Sequence, residues 1–79
     1  MKSFRVIIRY HDIIPIIEWL HTFGPVTQKE SYRRNGPGWN MINQIINANY
    51  VKILISFEDD GNATLFALLF SDRFVKINL

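Results

Sequence analysis

Two segments of the chain alternate between apolar and polar positions with the period of a β-strand. Residues 4–10 and residues 50–58 each place a set of large apolar side chains on one face. The first set is Phe4, Val6, Ile8 and Tyr10, and the second set is Val51, Ile53, Ile55 and Phe57. A period of two is typical of strands with one face in a core. We therefore predict strands over both segments, with the second at the centre of a sheet.

Two further segments carry apolar side chains at helical spacing. Residues 13–23 follow Asp12, which offers an N-cap oxygen, and precede a Gly-Pro pair of the kind that ends helices. Residues 63–71 follow Asn62, another residue type that caps helices, and are apolar on most sides. The pattern predicts helices over both segments, with the second helix buried.

The patterns in the remaining segments are weaker. Residues 26–33 alternate with mostly polar side chains, which predicts a polar edge strand. Two glycines, a proline and an asparagine within residues 34–38 indicate a flexible loop with a turn. Residues 39–48 have the apolar spacing of a short helix, which we favour over a strand, although asparagine is a poor helix former. Residues 74–79 predict a last strand.

The order of these elements predicts an α+β fold in a single domain, residues 1–79. Its small antiparallel sheet would have the helices packed on one face. The order β-α-β-β-α-β, with an extra short helix at residues 39–48, resembles the ferredoxin-like split βαβ arrangement. Because that fold serves many unrelated functions, the resemblance assigns none of them.

Length and composition agree with one folded core in a reducing compartment. The chain has 79 residues, of which 48% are hydrophobic, and no cysteine, so the core forms without disulfides. The apolar run between Arg5 and Arg9 is too short for a signal-peptide core or a membrane span. We therefore expect a cytoplasmic protein with no membrane partner. Frequent isoleucine and asparagine resemble the composition of proteins from AT-rich genomes, including many tailed phages, for which the cytoplasm would be the host's.

The strongest binding signal lies in residues 29–39, where cations and aromatics surround a glycine-rich turn. The candidate residues are Lys29, Tyr32, Arg33, Arg34 and Trp39. Here the arginines would contact phosphates while the two aromatic rings stack on bases, as in proteins that bind single-stranded nucleic acid. The alternative is a solvated hairpin whose aromatics cover the edge of the core, since Glu30 reduces the local positive charge.

A secondary set of candidates lies on the two clearest strands. Arg5 and Arg9 share one strand face, and Tyr50 and Lys52 share a face of the other strand. These residues would extend a basic surface across the sheet. Ile7 between the two arginines also fits ordinary partial burial, in which only the charged ends reach solvent.

The sequence contains no motif for catalysis or metal binding. His11 and His21 lack the His-Glu-x-x-His spacing, and the acidic run at residues 58–60 lacks the rest of a calcium loop. No serine has a nucleophile-elbow context, and there is no cysteine nucleophile. We therefore expect no enzyme activity, no metal site and no cofactor.

Two functions from different classes are consistent with these observations. The first is a small protein-interaction module, such as a phage-encoded inhibitor or modulator of a host enzyme. The alternative is a nucleic-acid-binding module that uses residues 29–39. A net charge of only +2 at pH 7 favours the first, because polyanion binders usually carry more. We also expect a homo-oligomer, since residues 26–33 form an exposed edge and the last strand is apolar.

Overall fold

A computed structural model describes residues 2–75 of the chain. Within this range there are six β-strands, two α-helices and two single-turn 3₁₀ segments. The strands are β1 (Lys2–Arg9), β2 (Gln28–Lys29), β3 (Arg33–Gly36), β4 (Trp39–Ile45), β5 (Tyr50–Phe57) and β6 (Phe74–Val75). The helices are α1 (Ile13–His21) and α2 (Asp60–Phe70), and the 3₁₀ segments are Tyr10–Asp12 and Ser71–Arg73. Of the last strand predicted at residues 74–79, residues 76–79 lie outside the described range.

The six strands form one antiparallel sheet in the order β2-β3-β4-β5-β1-β6. The pairing of β1 with β5 places Phe4 opposite Ile55 and Ile8 opposite Val51. β5 lies inside the sheet between β4 and β1, as its apolar pattern predicts. A small α+β domain with an antiparallel sheet is therefore confirmed, whereas the number and order of the strands differ from a simple βαββαβ fold.

The core lies between one face of the sheet and both helices. Strand alternation turns Ile8 and Ile53 toward the helices, and α1 contributes Ile16 and Leu20, all four fully buried. α2 contributes Phe66, whose ring centroid lies within 6.2 Å of those of five other aromatic rings. In the described part of the chain, the opposite face of the sheet is left without a covering helix.

β4 is a strand, so the short helix predicted at residues 39–48 is wrong. Along β4, Trp39 and Met41 are buried, while Asn40 and Ile42 alternate onto the other face and are half-buried. β4 pairs with β3 on one side and with β5 on the other. Because both sides of the strand are hydrogen-bonded, sheet pairing outweighs the apolar spacing that favours a helix. The low helix propensity of asparagine acts in the same direction.

The edge strand predicted at residues 26–33 is divided into two shorter strands, β2 and β3, joined by a turn at residues 30–32. The flexible loop predicted at residues 34–38 is also corrected, because its first three residues belong to β3 and pair with β4. Only Pro37 and Gly38 form the turn between these strands. Gly38 has φ of 76°, which after a proline is the geometry of a type II turn.

α2 is half exposed, contrary to the prediction of a buried helix. Its solvent side carries three leucines, Leu65 (47% exposed), Leu68 (74%) and Leu69 (50%), which we name the α2 leucine patch. At the start of the helix, the carboxylate of Asp59 accepts a hydrogen bond from the backbone N–H of Asn62 at 3.0 Å. Asp59 is therefore the N-cap, in place of the predicted Asn62.

Candidate binding surfaces

β3 divides the predicted binding segment between the two faces of the sheet. Arg33 and Arg34 are consecutive in a strand, so their side chains point to opposite faces. Arg34 is opposite Met41 and Arg33 is opposite Ile42. Because Met41 is buried against the helices, Arg34 lies on the helix side and Arg33 on the other side. The structure therefore does not bring the two arginines together on one surface.

Trp39 lies in the core. It is 4% exposed, and its indole ring lies over Gly36, its partner across the hairpin. The indole Nε1 is buried and has no hydrogen-bond partner among the described residues. A base cannot reach this ring, so Trp39 in this position does not serve as a stacking residue. Its position matches the alternative in which an aromatic of this segment covers the edge of the core.

Lys29 and Tyr32 lie on the same side as Arg34. Lys29 is exposed and sits opposite Arg34 in the pairing of β2 with β3. The backbone carbonyl of Tyr32 accepts a hydrogen bond from the backbone N–H of Asn43 at 2.8 Å, which places the two residues opposite each other. Since Asn43 and Met41 share a face of β4, Tyr32 and Arg34 share the helix side as well.

On the face without helices, the strand register aligns side chains in rows. The first row runs across β3, β4, β5 and β1 and consists of Arg33, Ile42, Leu54 and Arg5. Beside this row lie Lys52 and Ile7, and at the end of the β1–β5 pair Arg9 faces Tyr50. We name these eight residues the open sheet face. The structure thus brings the four secondary candidates together with Arg33 on one surface.

The open sheet face is positively charged. It carries four cations, and strands β1, β3, β4 and β5 contain no Asp or Glu. None of the four cations forms an ion pair within residues 2–75. Glu30 lies beyond β3 at the outer corner of the sheet, where its Oε1 accepts a hydrogen bond from Gln28 Nε2 at 3.0 Å. The face is therefore a cationic surface with an aliphatic centre.

A cavity of about 350 Å³ opens on the opposite side of the sheet. We name it the helix-side cavity, and its walls include Tyr10, Ile13, Ile17, Tyr32, Arg34 and Asn43. The pattern-based candidates omit Asn43, although its Oδ1 is buried and has no hydrogen-bond partner in the described part of the chain. The sequence signal that could identify Asn43 is its spacing of two residues from Met41. In a strand this spacing places Asn43 on the same core-facing side as Met41, whereas the predicted helix does not show this relation.

The carboxylate of Asp12 has a structural role, because it contacts both Arg73 and His11. Asp12 is buried and accepts a hydrogen bond from Arg73 Nη1 at 2.8 Å, while His11 Nε2 lies 3.7 Å from the same oxygen. The Asp12–Arg73 pair links the end of β1 to the segment that leads into β6. Across residues 2–75, no three His, Asp or Glu side chains come close enough to hold a metal ion together.

The candidate surfaces are thus the open sheet face, the helix-side cavity and the α2 leucine patch.

None of the helices between residues 2 and 75 combines the length and the apolar character needed to cross a membrane. Comparison of the chain with known proteins finds no matching family model, no matching curated protein and no matching solved structure.

Proposed function

We propose that this chain is a non-catalytic protein-interaction module that binds an acidic, amphipathic surface of another protein through its open sheet face. The observation that carries the proposal is the row in which Ile42 and Leu54 lie between Arg33 and Arg5. A partner surface with an apolar centre and carboxylates at its rim complements this row in both hydropathy and charge.

The aliphatic centre favours a protein partner over a bare polyanion. Ile7, Ile42 and Leu54 are half-buried in the free chain, so a partner that covers them removes further apolar surface from water. We estimate about 1 kcal/mol for each of the three side chains, roughly half the value of complete burial. Exposed ion pairs at the rim contribute only about 0–1 kcal/mol each, and they act chiefly on orientation and association rate.

The row also suggests the size of the partner element. Arg33 and Arg5 are separated by three strand spacings, which amounts to about 14 Å. A helix that crosses the strands covers this distance in about nine residues. The proposed partner element is therefore an amphipathic helix with carboxylates near both ends and an apolar face over Ile42 and Leu54.

The proposal retains the setting expected from composition. The chain would act in the cytoplasm as a phage-encoded inhibitor or modulator of a host enzyme, and its abundance of isoleucine and asparagine supports this origin. For the fold, the proposal is a ferredoxin-like core made of β4, β5, β1 and β6, to which β2 and β3 are added at one edge. Their adjacency in the sheet and the helices that connect them support this assignment.

The proposal is tested with a synthetic helical peptide that has leucines along one face and glutamates at both ends of that same face. Binding to the labelled peptide is measured by fluorescence anisotropy at about 50 mM salt, where surface charges are weakly screened. We expect the double variant Arg5→Gln with Arg33→Gln to bind about tenfold more weakly, because the two rim ion pairs of the row together contribute up to about 2 kcal/mol.

The matched control is the double variant Lys29→Gln with Arg34→Gln, which removes the same charge from the helix side. Its affinity for the peptide should stay within about threefold of the unmodified chain, because only the long-range attraction changes. Equal losses in the two double variants would show attraction by net charge alone and would overturn the proposal.

Nucleic-acid binding is a second candidate function, favoured by the four cations of the open sheet face and by Tyr50 beside them. With Trp39 buried, Tyr50 is the aromatic that would stack on a base at this face. For a single-stranded oligothymidylate, this candidate predicts that the loss of Arg5 and Arg33 lowers the salt slope by about two. Absence of oligonucleotide affinity at about 50 mM salt would remove it.

A further inference from the structure

The helix-side cavity combines one cation, several polar groups and an apolar wall. Ile13 and Ile17 of α1 and Val51 of β5 form its apolar part. Arg34 and Asn43 provide charge and an amide on the opposite wall. A volume of about 350 Å³ lies at the lower end of the range for small-molecule sites, roughly 300–1,000 Å³. The composition of the walls is therefore that of a site for a small amphipathic molecule.

Strand register holds the polar groups of this cavity side by side. Tyr32 is opposite Asn43, and Arg34 is opposite Met41, two residues away along β4. Directly opposite residues have Cβ atoms about 5 Å apart, and diagonal neighbours are about 7–8 Å apart. The guanidinium of Arg34 and the amide of Asn43 can therefore contact one small molecule at the same time.

Two residues that line the cavity carry a group with no partner within the described residues. The Oδ1 atom of Asn43 is buried with no hydrogen bond, an arrangement that costs about 1–3 kcal/mol relative to a satisfied group. Arg34 is half-buried and takes part in no ion pair within residues 2–75. One group requires a hydrogen-bond donor and the other requires an anion.

We propose that the helix-side cavity binds a small carboxylate that carries a hydrogen-bond donor next to the carboxylate and an apolar body. The carboxylate pairs with the planar guanidinium of Arg34, and the apolar body packs on Ile13, Ile17 and Val51. The donor reaches Asn43 Oδ1 after a rotation of the Asn43 side chain that turns this buried oxygen toward the cavity. Apolar α-hydroxy and α-amino acids have this chemistry. A guanidinium forms bidentate pairs with carboxylates and phosphates alike. The single positive charge of Arg34 matches a singly charged carboxylate better than a phosphate dianion.

This site is independent of the proposed protein-binding function, because it lies on the other side of the sheet from the open sheet face. The probe is 3-phenyllactate, added to ¹⁵N-labelled protein while backbone amide shifts are followed by NMR. We expect shifts concentrated at Tyr32, Arg34, Asn43 and Val51. Lactate, which lacks the apolar body, and inorganic phosphate should each bind at least tenfold more weakly.

Arg33 and Arg34 offer a matched pair of variants. Arg34→Gln should weaken phenyllactate binding at least tenfold, whereas Arg33→Gln, one residue away on the other face, should leave it unchanged. Circular dichroism establishes that both variants remain folded. Equal effects of the two substitutions, shifts centred on the open sheet face, or phosphate affinity equal to that of phenyllactate would each overturn the proposal.

Asn43→Val tests the contact to the hydrogen-bond donor separately. The unmodified chain should prefer phenyllactate over 3-phenylpropanoate, which lacks the hydroxyl group, and Asn43→Val should abolish this preference. If Asn43→Val still preferred phenyllactate over 3-phenylpropanoate, Asn43 would not accept the hydrogen bond from the hydroxyl group. That result would contradict this part of the proposed site.

Discussion

At the residue scale, the contact between Gly36 and Trp39 is the tightest constraint in the β3–β4 hairpin. A Cβ atom at Gly36 would lie closer than 3.0 Å to three atoms of the indole ring. We expect Gly36→Ala to lower the free energy of unfolding by about 1–3 kcal/mol, because the ring or the strand must move. Urea denaturation measures the change.

Gly38→Asn is the comparison for this variant. A Cβ at Gly38 meets no other atom within 4 Å, and asparagine tolerates its φ of 76°. Its cost should therefore stay below about 1 kcal/mol. If both variants were equally destabilised, crowding by the indole ring would not be the reason.

The pair of Asp12 and Arg73 supports a second prediction. Asp12 is buried, so Arg73→Met leaves its carboxylate without its closest hydrogen-bond donor. We expect a loss of about 1–3 kcal/mol in the free energy of unfolding, measured by urea denaturation. Arg33→Met, which removes an exposed arginine with no ion pair in the described residues, should change stability by less than about 0.5 kcal/mol. A stable Arg73→Met variant would show that the pair contributes little.

Residue types alone predict part of the candidate site. The period of two along β1 and β5 suffices to place Arg5 with Arg9 and Tyr50 with Lys52, and the structure joins these pairs on one face. The separation of Arg33 from Arg34 follows only once β3 is known to be paired there. The burial of Trp39 agrees with the alternative in which aromatics cover the edge of the core. The glycine-rich, basic sequence around it does not decide between that alternative and an exposed stacking ring.

At the scale of elements, β4 contains one polar residue, Asn43, whose position on the core side of the sheet lowers the stability of the fold. Asn43 faces the core side of the sheet and lies opposite Ile53, with its Oδ1 unsatisfied. Asn43→Val replaces this amide with a β-branched apolar side chain that suits a strand. We expect the free energy of unfolding to rise by about 1 kcal/mol, measured by urea denaturation. Asn40→Val, on the other face of β4, should change it by less, and a larger gain there would contradict this explanation.

The elements that patterns predict well are those with one dominant period. β1, β5 and the two helices have such a period and appear close to their predicted bounds. In residues 39–48, isoleucines and asparagines fit periods of 2 and 3.6 almost equally, and hydrogen bonds from β3 and β5 decide in favour of a strand. The strand order and the short β2–β3 pair depend on these long-range contacts and could not be predicted.

At the scale of the whole molecule, each copy of the chain carries two surfaces that are complementary to each other. The open sheet face is cationic and aliphatic, and the α2 leucine patch follows the acidic residues 58–60. Contact between these unlike surfaces would add copies in succession instead of closing a dimer. The predicted edge strand offers less for self-association, since β2 has only two residues.

We therefore expect the average mass from light scattering to rise with protein concentration and to fall when salt is added. Leu68→Gln should reduce this association without changing stability, because Leu68 is 74% exposed. Ile14→Gln, which removes an exposed aliphatic side chain from α1 instead of α2, serves as the control and should leave the mass unchanged. A monomer mass at every concentration would contradict the homo-oligomer prediction.

The separation of charge between the open sheet face and the rest of the molecule also gives the chain a permanent electric dipole. The whole chain has a net charge of +2, and the open sheet face contributes +4, so the remainder carries −2. Near a negatively charged solid, such as a carboxylated sensor surface, the molecule should orient with the open sheet face toward the solid. Adsorption of this kind would hide the proposed binding surface, so immobilisation for binding measurements should proceed through the helix side.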